Sequence, residues 1–243
     1  MRGPGKLGLM TDRWREIFGT GKPIIGMLHA PALPGAPRYG GDWSAVIERV
    51  RADADALAEG GVDGLMLENF GDAPFFPGRV PAVTVAAMTA LATAVGQSCD
   101  LPLGINVLRN DARSALAVAV ATRARFIRVN VLCGARVTDQ GILQGIAHDL
   151  MRDRAQFGPD IAVAADINVK HSAPVAAIPL AQELHDLLHR GGADAVIVSG
   201  SGTGQRADPT ECDAIRAAAG GAPMLIGSGV AADNVRTYAA VAD

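Results

Sequence analysis

The chain has 243 residues, 49% of them hydrophobic and 19% charged, with a formal net charge of −3. A (β/α)8 barrel needs about 250 residues, so one domain over 1–243 with a large core fits. The balance of charge supplies no basic patch for nucleic acid or an acidic membrane surface. Cys99, Cys133 and Cys212 form no CxxC pair and no metal-ligand spacing, which suits a reducing compartment. No apolar run has the length of a signal peptide core or a membrane span, so the cytoplasm is the expected location.

In chain order, the first predicted element is a short helix around 12–18. Its Trp14, Ile17 and Phe18 suit a plug at the bottom of a barrel. Seven short apolar runs follow, each bounded by Gly, Pro, Asp or Asn: 23–30, 64–69, 101–108, 126–131, 161–168, 195–200 and 224–229. Runs with little alternation read as strands buried on both faces, as in a parallel sheet. Between them lie helical periodicities. Trp43 to Glu59 carries Val46, Val50, Ala54, Leu57 and Ala58 on one face, and Ala176 to His189 carries Ile178, Leu180, Leu184, Leu187 and Leu188.

One phrase occurs twice. Gly60-Gly61-Val62-Asp63 enters the second run, and Gly191-Gly192-Ala193-Asp194 enters the sixth. A glycine ending the helix left-handed and an Asp in a tight αβ turn explain both copies. The fold expected is therefore α/β, a (β/α)8 TIM-type barrel. A doubly wound open sheet would want a Gly-rich fingerprint after an early strand, which the first loop lacks. Seven runs are present, and Asp243 falls where an eighth strand should begin. The expectation is a barrel lacking its eighth β/α unit, with the first and seventh strands as open edges.

Sites in such barrels lie at the carboxyl ends of the strands. Here those ends carry His29, Glu68-Asn69, Asn106, Arg128 with Asn130, Asp166, Ser199-Gly200 and Gly227-Ser228-Gly229. Arg109-Asn110-Asp111 follows the third run, and Lys170-His171 follows the fifth. Polar residues at every end of otherwise apolar strands indicate a lined pocket. Asn106 and Asn130 suit either a ligand or the backbone of the barrel mouth.

Two neighbouring glycine loops, Ser199-Gly200-Ser201-Gly202-Thr203-Gly204 and Gly227-Ser228-Gly229, point to an anionic ligand group, because glycines let backbone N–H groups approach closely. Tight turns alone would explain either loop singly. Lys170 suits a cation for phosphate or carboxylate, and a Schiff base is its rival role. Glu68 and Asp166 read as an acid–base pair or as ligands of a divalent cation, against structural ion pairs with Lys170, Arg128 or Arg109. His29 reads as a general base or a neutral hydrogen-bonding residue. His148, His185 and His189 fall in helical segments, on the surface. The residues specify no cofactor and no metal.

Several stretches then resemble the BtpA/SgcQ family: Lys22-Pro23-Ile24-Ile25-Gly26-Met27-Leu28-His29 with Leu33-Pro34-Gly35, Glu68-Asn69-Phe70-Gly71-Asp72, Arg128-Val129-Asn130-Val131 through Val137-Thr138-Asp139-Gln140-Gly141, and Val169-Lys170-His171. Ser199-Gly200 with Thr203-Gly204, and Gly227-Ser228-Gly229-Val230, continue the match in order. The resemblance implies a phosphate-binding-like TIM barrel. Two functions are compatible with it. One is an enzyme (lyase, isomerase or hydrolase) on a small phosphorylated sugar or nucleoside-like metabolite. Glu68, Asp166, Lys170 and His29 would carry its chemistry. Asn69, Asn106, Arg128, Asn130, His171, Ser199, Gly200, Thr203, Gly204, Gly227, Ser228 and Gly229 would hold the ligand. The other is a non-catalytic assembly factor, as the family's link with photosystem I suggests. Self-association is compatible with either.

Overall fold

A computed structural model describes residues 12–200 and 207–243. The second half of the first glycine loop, with Thr203 and Gly204, lies outside the described residues. In chain order the strands are β1 Ile25–His29, β2 Gly64–Glu68, β3 Leu103–Asn106, β4 Phe126–Val129, β5 Ala135–Thr138, β6 Gly141–Gln144, β7 Ala162–Ile167, β8 Ser172–Pro174, β9 Ala195–Val198 and β10 Met224–Ile226. The helices are α1 Asp12–Phe18, α2 Trp43–Glu59, α3 Ala82–Ser98, α4 Ala112–Thr122, α5 Ala147–Phe157, α6 Leu180–His185, α7 Pro209–Ala218 and α8 Val235–Tyr238.

Seven strands form one parallel sheet in the order β1-β2-β3-β4-β7-β9-β10, with a helix in every crossover. All seven strands expected from the apolar runs are there. Among the described residues the fold is of the α/β barrel type with seven β/α strands, an incomplete barrel. The sheet curls, so Ile25 of β1 and Leu225 and Ile226 of β10 border one cavity of about 620 Å³. Among the described residues no further strand pairs with the outer edges of β1 and β10.

Alternation along each strand separates two cores. Leu65, Leu67, Ile105, Ile127, Val163, Ala165, Val196 and Val198 pack outward against the helices. Met66, Phe126, Ala162, Ala164, Ala195 and Ile197 face the interior with Trp14. Gly104 leaves the room that Phe126 fills, since a Cβ there would stand 2.3 Å from Phe126 Cε2. Trp14 of α1 meets Phe126 edge-on, ring centroids 5.4 Å apart, and closes the bottom of the sheet. The helix around 12–18 thus sits where its apolar face suggested.

Two elements differ from the sequence reading. The helix expected from Ala176 begins at Leu180, because Pro179 cannot donate into a preceding turn and holds Ile178 out of the helical region. The segment before it, β8, joins the β5–β6 hairpin in a separate three-stranded antiparallel sheet, order β6-β5-β8. Among the described residues no helix is long and apolar enough to cross a membrane.

Candidate active site at the strand ends

The interior alternation delivers the site. The inward position two residues beyond each interior apolar side chain is polar or glycine. His29 follows Met27, Glu68 follows Met66, Asn106 follows Gly104, Arg128 follows Phe126, Asp166 follows Ala164, Ser199 follows Ile197 and Gly227 follows Leu225. Parallel pairing brings these seven ends to one mouth.

Asp166 is its hub. Arg128 Nε donates to Asp166 Oδ2 at 2.9 Å and Arg128 Nη2 to Oδ1 at 2.8 Å. Asn130 Nδ2 donates to Oδ2 at 2.9 Å, and Ser199 Oγ to Oδ1 at 3.0 Å. Arg128 Nη1 also reaches Gly227 O at 3.4 Å. Burial opposes the Arg128 charge, but the facing Asp166 carboxylate outweighs it through charge and hydrogen bonds, holding the guanidinium pKa above its ordinary value.

Glu68 is also buried. Asn106 Nδ2 donates to its Oε2 at 2.5 Å, and His29 Nε2 stands 3.7 Å from its Oε1. The half-exposed His29 ring lies against Phe70, centroids 4.6 Å apart. Lys170 enters from the loop between β7 and β8. Its flanking Asn168 and His171 have left-handed backbones, φ 52° and 57°. Arg109 Nη2 donates to Lys170 O at 2.6 Å, and Val169 is buried with Val131 and Leu143. The Lys170 side chain borders the cavity with Glu68 and Arg128. Burial first, and then the Arg128 charge, push its pKa below the ordinary amine value; Glu68 and Asp166 oppose the shift in part.

The remaining expected residues are distributed as follows. Asn69 is spent on the loops: its Oδ1 accepts from Leu108 N at 2.7 Å, and its Nδ2 donates to Asp72 at 3.0 Å. It borders a separate cavity of about 340 Å³ beside Pro74 and Phe76. Gly200 is buried behind β9, and His171 is exposed on its loop. Gly227, Ser228 and Gly229 border the main cavity. Gly227 N already donates to Val198 O at 2.7 Å, so this glycine contributes space rather than a free N–H. Its missing Cβ would stand 2.3 Å from Ile197 Cγ2.

Arg109 joins the mouth although it was not among the expected site residues. It is 3% exposed, and burial lowers its pKa while the nearby Asp166 opposes that. Its Nε, like Asn130 Oδ1, is buried without a hydrogen-bond partner. Its one sequence signal was a charged triplet, Arg109-Asn110-Asp111, directly behind a strand. Among the described residues no three His, Cys, Asp or Glu side chains gather as a metal site would require.

Comparison with known proteins agrees with this architecture. The chain is 46% identical over 220 residues to "Photosystem I biogenesis protein BtpA" of Synechocystis sp., covering 90% of this chain and 77% of that protein. It is 44% identical over 214 residues to an uncharacterized protein of Thermococcus kodakarensis, covering 88% and 80%. Among solved structures it resembles N-(5'-phosphoribosyl)anthranilate isomerase from Pyrococcus furiosus, with a TM-score of 0.50 at 12% identity over 90% of this chain and 83% of that one. At that identity the likeness concerns the fold alone. The profile of the BtpA family matches residues 20–243, and the chain belongs to that family.

Proposed function

We propose that the mouth binds a small phosphorylated sugar or nucleoside-like metabolite and that the protein is an enzyme acting on it. The observation that carries this reading is the charge arrangement. Three cations, Arg109, Arg128 and Lys170, meet two carboxylates, Glu68 and Asp166, at one set of strand ends. Asp166 is consumed by Arg128, which leaves Lys170 with no ion-pair partner within 4 Å among the described residues and Arg109 Nε unbonded. Cationic donor atoms left without protein acceptors, Lys170 Nζ and Arg109 Nε, favour an anionic ligand. In this reading Lys170 and Arg109 face the anion, Asn130 Oδ1 accepts a ligand hydroxyl, and Glu68 with His29 moves protons. Asp166 fixes Arg128, Asn130 and Ser199, since four donors already occupy its oxygens. Gly227 to Gly229 bound the ligand on the β10 side.

A second reading, a non-catalytic assembly factor, is favoured by the name of the Synechocystis relative. A thermal-shift series with inorganic phosphate, ribose 5-phosphate and nucleoside monophosphates separates the two. A ligand stabilises by RT ln(1 + [L]/Kd), so the enzyme reading expects a melting temperature that climbs with sugar phosphate and does not climb in Lys170→Ala. No shift with any of these compounds, together with a co-purifying protein, favours the second reading.

A further inference from the structure

The chain contains three lysines, Lys6, Lys22 and Lys170, against nineteen arginines. Where the fold requires a cation for an ion pair it uses arginine: Arg128 on Asp166, Arg154 on Asp194, Arg136 on Glu183, Arg113 on Asp153. A guanidinium also holds a phosphate or carboxylate better than an ammonium, through its two-pronged fork. Position 170 departs from this usage in the mouth itself. What lysine offers there and arginine cannot is a neutral amine, because only lysine gives up its proton in the accessible pH range.

We propose that Lys170 is an amine nucleophile that forms an imine with the carbonyl carbon of an open-chain aldose or ketose phosphate. The inference rests on the anionic-ligand reading above and adds the reacting group of the substrate. Three structural features support it. The Lys170 ammonium has no hydrogen bond or ion pair among the described residues, because Asp166 is occupied by Arg128, Asn130 and Ser199, and Glu68 by Asn106 and His29. Its backbone is clamped by Arg109 and by the buried Val169, so the amine is presented from a fixed point. It borders the same cavity as Glu68, the carboxyl group available for proton transfer.

The step balances without a further reagent. The nitrogen lone pair of the neutral amine attacks the carbonyl carbon, and the carbonyl oxygen takes up the proton that the attacking nitrogen gives up, leaving a neutral carbinolamine. That hydroxyl leaves as water with a second proton supplied through Glu68, the nitrogen returns its remaining proton to Glu68, and the C–O bond is replaced by C=N. The sum is R2C=O plus Lys–NH2 giving R2C=N–Lys plus H2O. Burial, and then the charges of Arg128 and Arg109, favour the neutral form of the amine before attack.

The test is reductive trapping. The full chain is incubated with dihydroxyacetone phosphate or ribose 5-phosphate and sodium cyanoborohydride, then read by intact mass and peptide mapping. The expected result is one adduct per chain on Lys170, exceeding that on Lys22 by roughly an order of magnitude because the bound phosphate presents the carbonyl. Inorganic phosphate suppresses it, and Lys170→Arg abolishes it. Labelling spread evenly over the lysines, or none, overturns the proposal. Should Lys170→Arg fail to fold, the wild-type peptide map decides alone. Melting curves with the same probes separate the two ideas: stabilisation without an adduct removes the imine and keeps the anion pocket, whereas neither stabilisation nor adduct removes both.

Discussion

Asp194 and Val163 hold each other twice: Asp194 N donates to Val163 O at 2.8 Å, and Val163 N donates to Asp194 Oδ2 at 2.8 Å. The same clasp joins Asp63 to Ile24, with both bonds at 2.8 Å, and Asp243 to Met224, at 2.9 and 3.1 Å. In each case an Asp behind one helix ties down the start of the preceding strand. The copies differ in burial. Asp63 is exposed, whereas the Asp194 side chain is 0% exposed and also pairs with Arg154 at 2.6 Å and Arg13 at 3.2 Å. Asp194→Ala is therefore expected to cost about 3–5 kcal/mol, since it strands Arg154 and a buried N–H. Asp63→Ala should cost about 1 kcal/mol. Urea denaturation of the two variants measures both; equal losses would show that burial of the clasp does not matter.

The Arg128–Asp166 pair separates stability from binding. Asp166→Ala leaves Arg128 buried and uncompensated, at about 3–5 kcal/mol. Replacing both partners, Arg128→Met with Asp166→Leu, removes the buried charges together and is expected to recover most of that loss. The double variant should nevertheless lose any stabilisation by sugar phosphates, because Asn130 and Ser199 lose the group that aims them. Denaturation and thermal shift on the same preparations decide. A double variant as unstable as the single one would refute the packing argument.

The seven sheet strands were legible because each is a continuous apolar run. The inward ends were legible because the period of a strand places Glu68 above Met66 and Asp166 above Ala164. The three-stranded antiparallel sheet was not. Its strands are three or four residues long, and their pattern is inverted, with Val137 48% and Ile142 62% exposed while Arg136 is buried. Such a stretch reads as loop. Arg109 was equally opaque: an arginine behind a strand is normally solvated, and this one is buried and donates to the Lys170 carbonyl, 61 residues away. The occupancy of Asp166 by four donors depends on neighbours from β4 and β9, which no local pattern specifies.

Gly227 is constrained by space rather than by backbone angle. A Cβ there meets Ile197 Cγ2 at 2.3 Å and stands 3.1 Å from Arg128 Nη2 and from Ser199 Oγ. Gly227→Ala should destabilise by about 1–3 kcal/mol through overpacking. Ile197→Ala alone should cost about 2–5 kcal/mol as a cavity. Because the new methyl enters the space the old side chain leaves, the double variant is expected to cost less than the sum. A strictly additive double-mutant cycle would show that the contact is not what excludes a side chain at 227.

Lys170 supplies the pH dependence. Its pKa is lowered, first by burial and then by Arg128, so its amine becomes reactive at a lower pH than an ordinary lysine, whose pKa is about 10.4. Competitive acetylation across a pH series, read on the Lys170 peptide, measures the midpoint. Glu68 raises this pKa, so Glu68→Gln should move the midpoint further down. Arg128→Met removes a lowering charge and uncovers Asp166, and both effects move it up. The stability sign follows. The unfolded chain binds this proton more tightly than the folded one, so the charged lysine opposes folding at pH values below its folded pKa. That penalty is relieved as the pH rises toward the ordinary amine value. Lys170→Met should flatten this alkaline rise in stability. A wild-type midpoint at the ordinary lysine value would mean that the amine is solvated, and would remove it from the mouth.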